Sequence, residues 1–361
     1  MSSKKRLKNS CSLLGIYFNQ MTKAQTETIL TMAASCLALV SSFGTPLSAM
    51  AAKSPVANTR SLSAQQIPAR LLTFSGDKSY GVLYFIPTST KVLDCKTNER
   101  GVRAQGTVKA PPNCYVWLDA TANFLQHPEG MKALPDNAFD ILQIHFVAME
   151  PEEEKLLDNG LVYASRFKSI KRLVLSRSDA CDAQLLKFSR LRDLEAIEVL
   201  GTKCDGSFLR ELSGSKAIKM LILMHLVLNK ANLRYLGTMP NLERITLANT
   251  KITCDDLKAL LPLKAITELD LAYNKTIDDR IFDYLKTFKN LNELDLRYTA
   301  ITYKGLEKLK GLKLRALWVT SQSVVGHEND LKILFPHTSI KIDIPKQNRV
   351  KEEYRDIEPL P

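Results

Sequence analysis

Residues 241–274 read NLERITLANTKITCDDLKALLPLKAITELDLAYN. Leu242, Ile245 and Leu247 are spaced L-x-x-L-x-L, and the triplet returns 24 residues later as Ile266, Leu269 and Leu271. Outward from there it recurs as Ile170-Leu173-Leu175, Leu194-Ile197-Val199 and Ile218-Leu221-Leu223 on one side. On the other it recurs as Leu291-Leu294-Leu296 and Leu314-Leu317-Val319. The middle members lie 24, 24, 24, 24, 25 and 23 residues apart. A period in the twenties signals a stacked solenoid, in which one unit cannot bury its own apolar face and its neighbours do so for it.

Within a unit, the alternation L-x-L puts both aliphatic residues on one face of a short strand. Five residues after the middle member stands Ser178, Thr202, Leu226, Thr250, Asn274, Thr299 or Gln322. Polar side chains there suit the backbone groups of a turn. Thr253, followed by Asp255 and Asp256, predicts a helix start, and Leu257-Leu260 would pack that helix over the strand. The pattern resembles the leucine-rich repeat family over about residues 139–345, closest to its ribonuclease-inhibitor-like and cysteine-containing subtypes. The resemblance implies an α/β fold: a right-handed solenoid with a parallel concave sheet and helices on the convex side. It also implies a non-catalytic role in holding a protein partner. Asparagine, common at the turn in that family, occurs there only as Asn274, and the third repeat has Leu226, so its turn must be satisfied in another way.

The chain has 361 residues and a net charge of +12. Residues 1–51 hold five bases against Glu27, or +4, which leaves +8 for the other 310. No Arg/Lys stripe interleaved with exposed aromatics is visible, which argues against nucleic acid as a partner. Near the N-terminus, basic residues precede an apolar run from Ile29 to Phe43 and an A-x-A pattern at Ala49-Met50-Ala51. The run is about 15 residues, short of the ~20 a spanning helix needs. Residues 1–51 therefore read as a signal peptide or membrane-targeting segment of an exported protein (periplasmic, cell-surface or secreted), with an uncleaved membrane anchor as the alternative.

Residues 52–70 read as a linker and 71–140 as a β-rich N-terminal cap module. Its strands are expected at Gly81–Ile86, Gly106–Val108 and Tyr115–Leu118, the last two joined through Pro111-Pro112. Residues 141–345 hold the repeats and a C-terminal cap. They begin with an irregular unit at Ile141, Ile144 and Phe146, with Ile144 set 29 residues before Leu173. Residues 346–361 read as a disordered tail. Cys95 and Cys114 flank a predicted hairpin, and an exported chain could join them in a disulfide. Cys181, Cys204 and Cys254 read as small buried hydrophobes. Neither a metal nor a cofactor is expected, because no C-x-x-C spacing, phosphate-binding Gly loop, H-E-x-x-H or G-x-S-x-G occurs. The chain reads as no enzyme.

Strand residues that do not point inward form the candidate partner-binding face. Val174, Leu200, Met220, Ile222 and Met224 are expected as an exposed apolar patch, unless the cap or a neighbouring chain covers it. Beside it lie Arg244 and four acids, Glu268, Asp270, Glu293 and Asp295, with Tyr273, Tyr298 and Trp318 at the rim. Aromatics and charges around an apolar centre suit a protein interface. Two other readings stand beside this one. The first is an envelope-associated structural protein whose basic surface adheres to anionic polymer. The second is a ligand-binding N-terminal β module carried on a repeat scaffold.

Overall fold

The computed structural model describes residues 66–97, 100–147 and 153–344. The expected leader, most of the linker and the tail lie outside the described residues. Ten strands run parallel in chain order. They are β5 (Cys114–Ala120), β6 (Ile141–Ile144), β7 (Arg172–Ser176), β8 (Ala196–Leu200), β9 (Met220–Met224), β10 (Arg244–Thr246), β11 (Glu268–Asp270), β12 (Glu293–Asp295), β13 (Ala316–Thr320) and β14 (Ser339–Asp343). At the other edge β2 (Gly81–Pro87) pairs antiparallel with β5, and β3 (Val102–Arg103) with β2, completing an open sheet of twelve strands.

The register is the one the triplets dictate. Leu173, Ile197, Leu221, Ile245, Leu269, Leu294 and Leu317 stand opposite one another from β7 to β13. Their side chains and those of the flanking triplet members form one continuous core. Past each strand from β7 to β12 the chain turns through a left-handed residue at a repeating position: Arg177, Gly201, His225, Asn249, Tyr273 and Tyr298, with φ of 47°, 57°, 54°, 50°, 62° and 56°. For a non-glycine residue this conformation costs about 1–2 kcal/mol. A hydrogen bond to the next repeat offsets it, as His225 N–H donates to Ala248 O at 3.0 Å and Tyr273 N–H to Arg297 O at 2.8 Å.

The polar turn position works as expected. Asn274 Nδ2 donates to Leu247 O (2.8 Å), Leu271 O (3.0 Å) and Ala272 O (3.3 Å), while its Oδ1 accepts from Thr250 N–H (3.1 Å). Thr299 Oγ1 makes a single bond, to Leu296 O at 2.7 Å. In the third repeat Leu226 is buried in the core instead, and the polar contact shifts to its neighbour: Asn249 Nδ2 lies 2.7 Å from His225 Nδ1.

The irregular first unit is set two residues differently from the sequence expectation. Leu142, not Ile144, stands opposite Leu173, so the step is 31 residues and Phe146 lies past the strand. Ile144 instead pairs with Leu175, as inward alternation from Leu142 requires. After α1 (Ala122–Gln126), that long step houses α2 (Glu154–Ala164), an 11-residue helix. A 24-residue period leaves room for less. The later convex connections are single turns such as α3 (Asp182–Leu185), α4 (Ile281–Leu285) and α5 (Tyr303–Leu306), or 3-10 turns such as Asp256–Leu260. Thr253 starts that last turn, its N–H and hydroxyl both donating to Asp256 Oδ2, at 2.7 and 2.8 Å. At the far end α6 (Glu328–Leu334) precedes β14, whose Ile340 and Ile342 pack on the core.

Three expectations for the N-terminal module are corrected. The strand β4 (Thr107–Ala110) does not form a hairpin with β5; it pairs with β1 (Arg70–Thr73) in a separate two-stranded sheet. Arg70 is not part of a linker. It is buried and donates to Asp140 Oδ2 (2.6 Å), Asn137 O (2.8 Å) and Cys114 O (2.7 Å). Cys95 and Cys114 are free thiols. Cys114 alternates with the core residues Val116 and Leu118, whereas Cys95 packs with Trp117 on the opposite face of β5.

Candidate protein-binding face

Between β2 and β3 the chain lies across the concave side of the sheet. Val92, Leu93 and Cys95 from this strap pack with Ile86, Trp117, Ile141, Ala196 and Met220, and Ile222 borders the cluster. Arg172 on β7 anchors the strap by donating to Cys95 O at 2.9 Å and Val92 O at 3.3 Å. Its Nε is paired with Glu198 of β8, and its guanidinium sits 5.3 Å from the centre of the Trp117 ring. Farther along, Arg244 Nη1 meets Asp94 Oδ1 at 2.7 Å while its Nε meets Glu268 at 3.1 Å. Burial pushes the Cys95 thiol up to about 11, opposed in part by Arg172.

The expected exposed apolar patch is therefore mostly closed. Val174, Met220 and Met224 are buried, Met220 at 4% exposure, and Leu200 and Ile222 are half-buried. An apolar sheet face in water recruits whatever apolar segment can reach it. Here that segment is Val92-Leu93, an apolar pair inside a polar connection. That pair is the one signal of the strap in the sequence, and it has no periodicity to mark it.

The four acids form a mostly buried ladder rather than a solvated cluster. Asp295 accepts from Arg297 Nε through both oxygens at 3.0 Å, and Asp270 Oδ1 accepts from Ala272 N–H at 2.9 Å. Burial, and then the Asp295 carboxylate beside it, push Asp270 up to about 8. Burial also raises Glu268, opposed by Arg244. Glu293 is 1% exposed and contacts Arg315.

At the rim, Tyr273 and Tyr298 stack with ring centres 4.5 Å apart at 13°, and Tyr298 Oη donates to Asp343 Oδ2 at 3.0 Å. Trp318 is 4% exposed, with Lys341 Nζ 5.2 Å from its ring centre, so it is not a protruding anchor. His225, at the same turn position as the two tyrosines, is held down to about 4 by burial and then by Arg177. Sequence reasoning missed Asp94 and Lys341; strand alternation places Arg172 and Arg297 on the concave face but does not give their partners. Only the tertiary structure brings Asp94 to Arg244 and Arg172 to the strap carbonyls.

A family model described as a Leucine Rich repeat matches residues 289–310, which span β12 and α5. The matched residues are a leucine-rich repeat. The chain is similar to an internalin from Listeria monocytogenes, solved at 1.91 Å. The two are 16% identical with a TM-score of 0.39, over 61% of this chain and 66% of that one. No curated protein matches it significantly. Leucine-rich-repeat solenoids in general present extended surfaces for binding other proteins. No helix among the described residues is long and apolar enough to cross a membrane.

Proposed function

We propose that this leucine-rich-repeat protein holds a protein partner on the C-terminal part of its concave face, with the strap closing the N-terminal part. The observation that carries this reading is the position of the last strap anchor, Asp94 on Arg244 of β10. Beyond it Thr246, Glu268, Arg297 and the stacked pair Tyr273 and Tyr298 are half-buried and offer polar and aromatic surface to a ligand. Rings that are already stacked lose little freedom on binding, so contact with them is not offset by ordering. The leader pattern in residues 1–51 supports an encounter outside the cytoplasm.

The test is affinity capture with the full chain against a Tyr273→Asn/Tyr298→Asn variant. Asparagine tolerates the left-handed backbone at both positions. A partner held by the wild type and lost by the variant supports the assignment. A partner held equally by both, with the variant's unfolding midpoint unchanged, removes it.

A further inference from the structure

Two positions before the first aliphatic residue of each triplet stand Lys168, Arg192, Lys216, Pro240, Lys264 and Lys289. In the last repeat, where the spacing shortens to 23, Lys313 stands one position before. Six of these seven positions are basic, and all six bases are exposed. They occupy one edge of the solenoid, where the chain leads into the strands.

That edge is tied from repeat to repeat. Glu195 O accepts from Lys219 N–H (2.8 Å) and Met220 N–H (3.1 Å), and Lys219 O accepts from Glu243 N–H (2.8 Å) and Arg244 N–H (3.0 Å). The same double bond links Glu243 to Thr267 and Glu268, and Thr267 to Asn292 and Glu293. Side chains add to it, as Asn241 Nδ2 donates to Lys216 O at 2.8 Å and Asn290 Nδ2 to Lys264 O at 2.9 Å. The bases thus stand in register on a stiff backbone. At a strand spacing of ~4.8 Å the row from Lys168 to Lys313 is about 29 Å long.

Pairing distinguishes this row from many of the other repeat lysines, though Lys171, Lys251, Lys275, Lys304, Lys310 and Lys332 also have no carboxylate partner among the described residues. Lys187, Lys203, Lys219, Lys230, Lys258, Lys286 and Lys308 each lie within ion-pair distance of a carboxylate. In the row Lys168 meets Asp136 at 3.1 Å. Among the described residues, Arg192, Lys216, Lys264, Lys289 and Lys313 have no carboxylate partner. Aligned like charges that the protein itself does not neutralise repel one another, and an external anion relieves that repulsion.

We propose that this edge binds a linear anionic polymer other than nucleic acid, laid along the row so that successive anionic groups meet successive repeats. A single row, in place of a broad patch, fits a strand better than a bilayer. The residues just before the bases include Phe167, Leu263 and Phe288, all buried in the core, so the row carries no aromatic platform for bases to stack on. Five of the six groups are lysines, point charges that suit anionic groups without demanding planar geometry.

The experiment titrates the full chain with long-chain inorganic polyphosphate at several salt concentrations. Each neutralised phosphate of a flexible strand contributes about 0.7 to the slope of log affinity against log salt. Lys216→Gln/Lys264→Gln/Lys289→Gln/Lys313→Gln should lower that slope by about 3 and weaken binding at low salt by at least about a hundredfold. A control, Lys258→Gln/Lys275→Gln/Lys304→Gln/Lys332→Gln, removes the same net charge from other exposed positions and should keep most of the affinity. Equal losses in the two variants would reduce the effect to net charge and overturn the proposal. So would undiminished binding by the row variant, or binding of oligodeoxythymidylate as tight as that of polyphosphate.

Discussion

Arg172 is the residue on which the strap's hold on the sheet turns, and Arg172→Met tests that hold. The guanidinium is almost fully enclosed, pairs with the equally enclosed Glu198, and donates to two strap carbonyls, Val92 O and Cys95 O. Removing one member of a buried ion pair costs about 3–5 kcal/mol. The two charge-assisted bonds to the strap account for roughly 3 kcal/mol of that, at the low end of about 1.5–3 each. At 1.4 kcal/mol per tenfold, strap opening should rise about a hundredfold. Cys95 reports it, because its thiol is 2% exposed and held up to about 11. Labelling by a thiol reagent at pH 8, resolved by peptide mass, should quicken about a hundredfold at Cys95 and stay slow at the core residue Cys204. Arg172→Met/Glu198→Leu should recover stability, having removed the orphaned carboxylate, while leaving Cys95 unprotected. If Cys95 and Cys204 quicken together, Arg172 supports the whole solenoid rather than the strap. If neither changes, apolar contacts alone hold the strap and the reasoning fails.

Two further outcomes are expected. Asp270 has a folded value near 8 against an ordinary 3.8, so between those pH values the folded chain keeps a proton that the unfolded chain releases. Stability should therefore fall as pH rises from about 4 to about 8 and level off above, and Asp270→Asn should flatten that slope in urea midpoints measured across the range. Asn274→Ala leaves Thr250 N–H and the carbonyls of Leu247 and Leu271 short of a buried partner, a loss of roughly 3 kcal/mol, whereas Thr299→Val removes one bond and costs about 1 kcal/mol. Equilibrium unfolding that ranks Thr299→Val as the more damaging change would contradict this reading of the turn.

Ile245, Leu269 and Leu294 stand opposite one another because each repeats the same local instruction. Two inward aliphatics on a short strand, followed by a turn, are enough to define a unit, and a constant spacing aligns the units. Asn274 and Thr299 are legible for the same reason, since their bonds reach the end of their own strand and, for Asn274, the equivalent turn one period earlier. The first unit escapes this logic. Leu142, Ile144 and Phe146 alternate equally well in two registers, and the 31-residue step is set by how α2 packs, not by the period. The expected disulfide fails likewise: proximity along the chain says nothing about which face of β5 each cysteine meets.

The concave face divides along the same line. Which residues alternate outward from each strand is determined by sequence alone, because period-2 alternation is a property of the strand. Whether they meet water is not. Arg172 reaches a strap carbonyl 77 residues away, Arg70 reaches a carboxylate 70 residues away, and Met220 packs against Val92 and Cys95. Contacts between segments so distant carry no period in the sequence. They are settled by which apolar segment can reach the open sheet once the repeats have stacked, and that competition exists only in the folded chain.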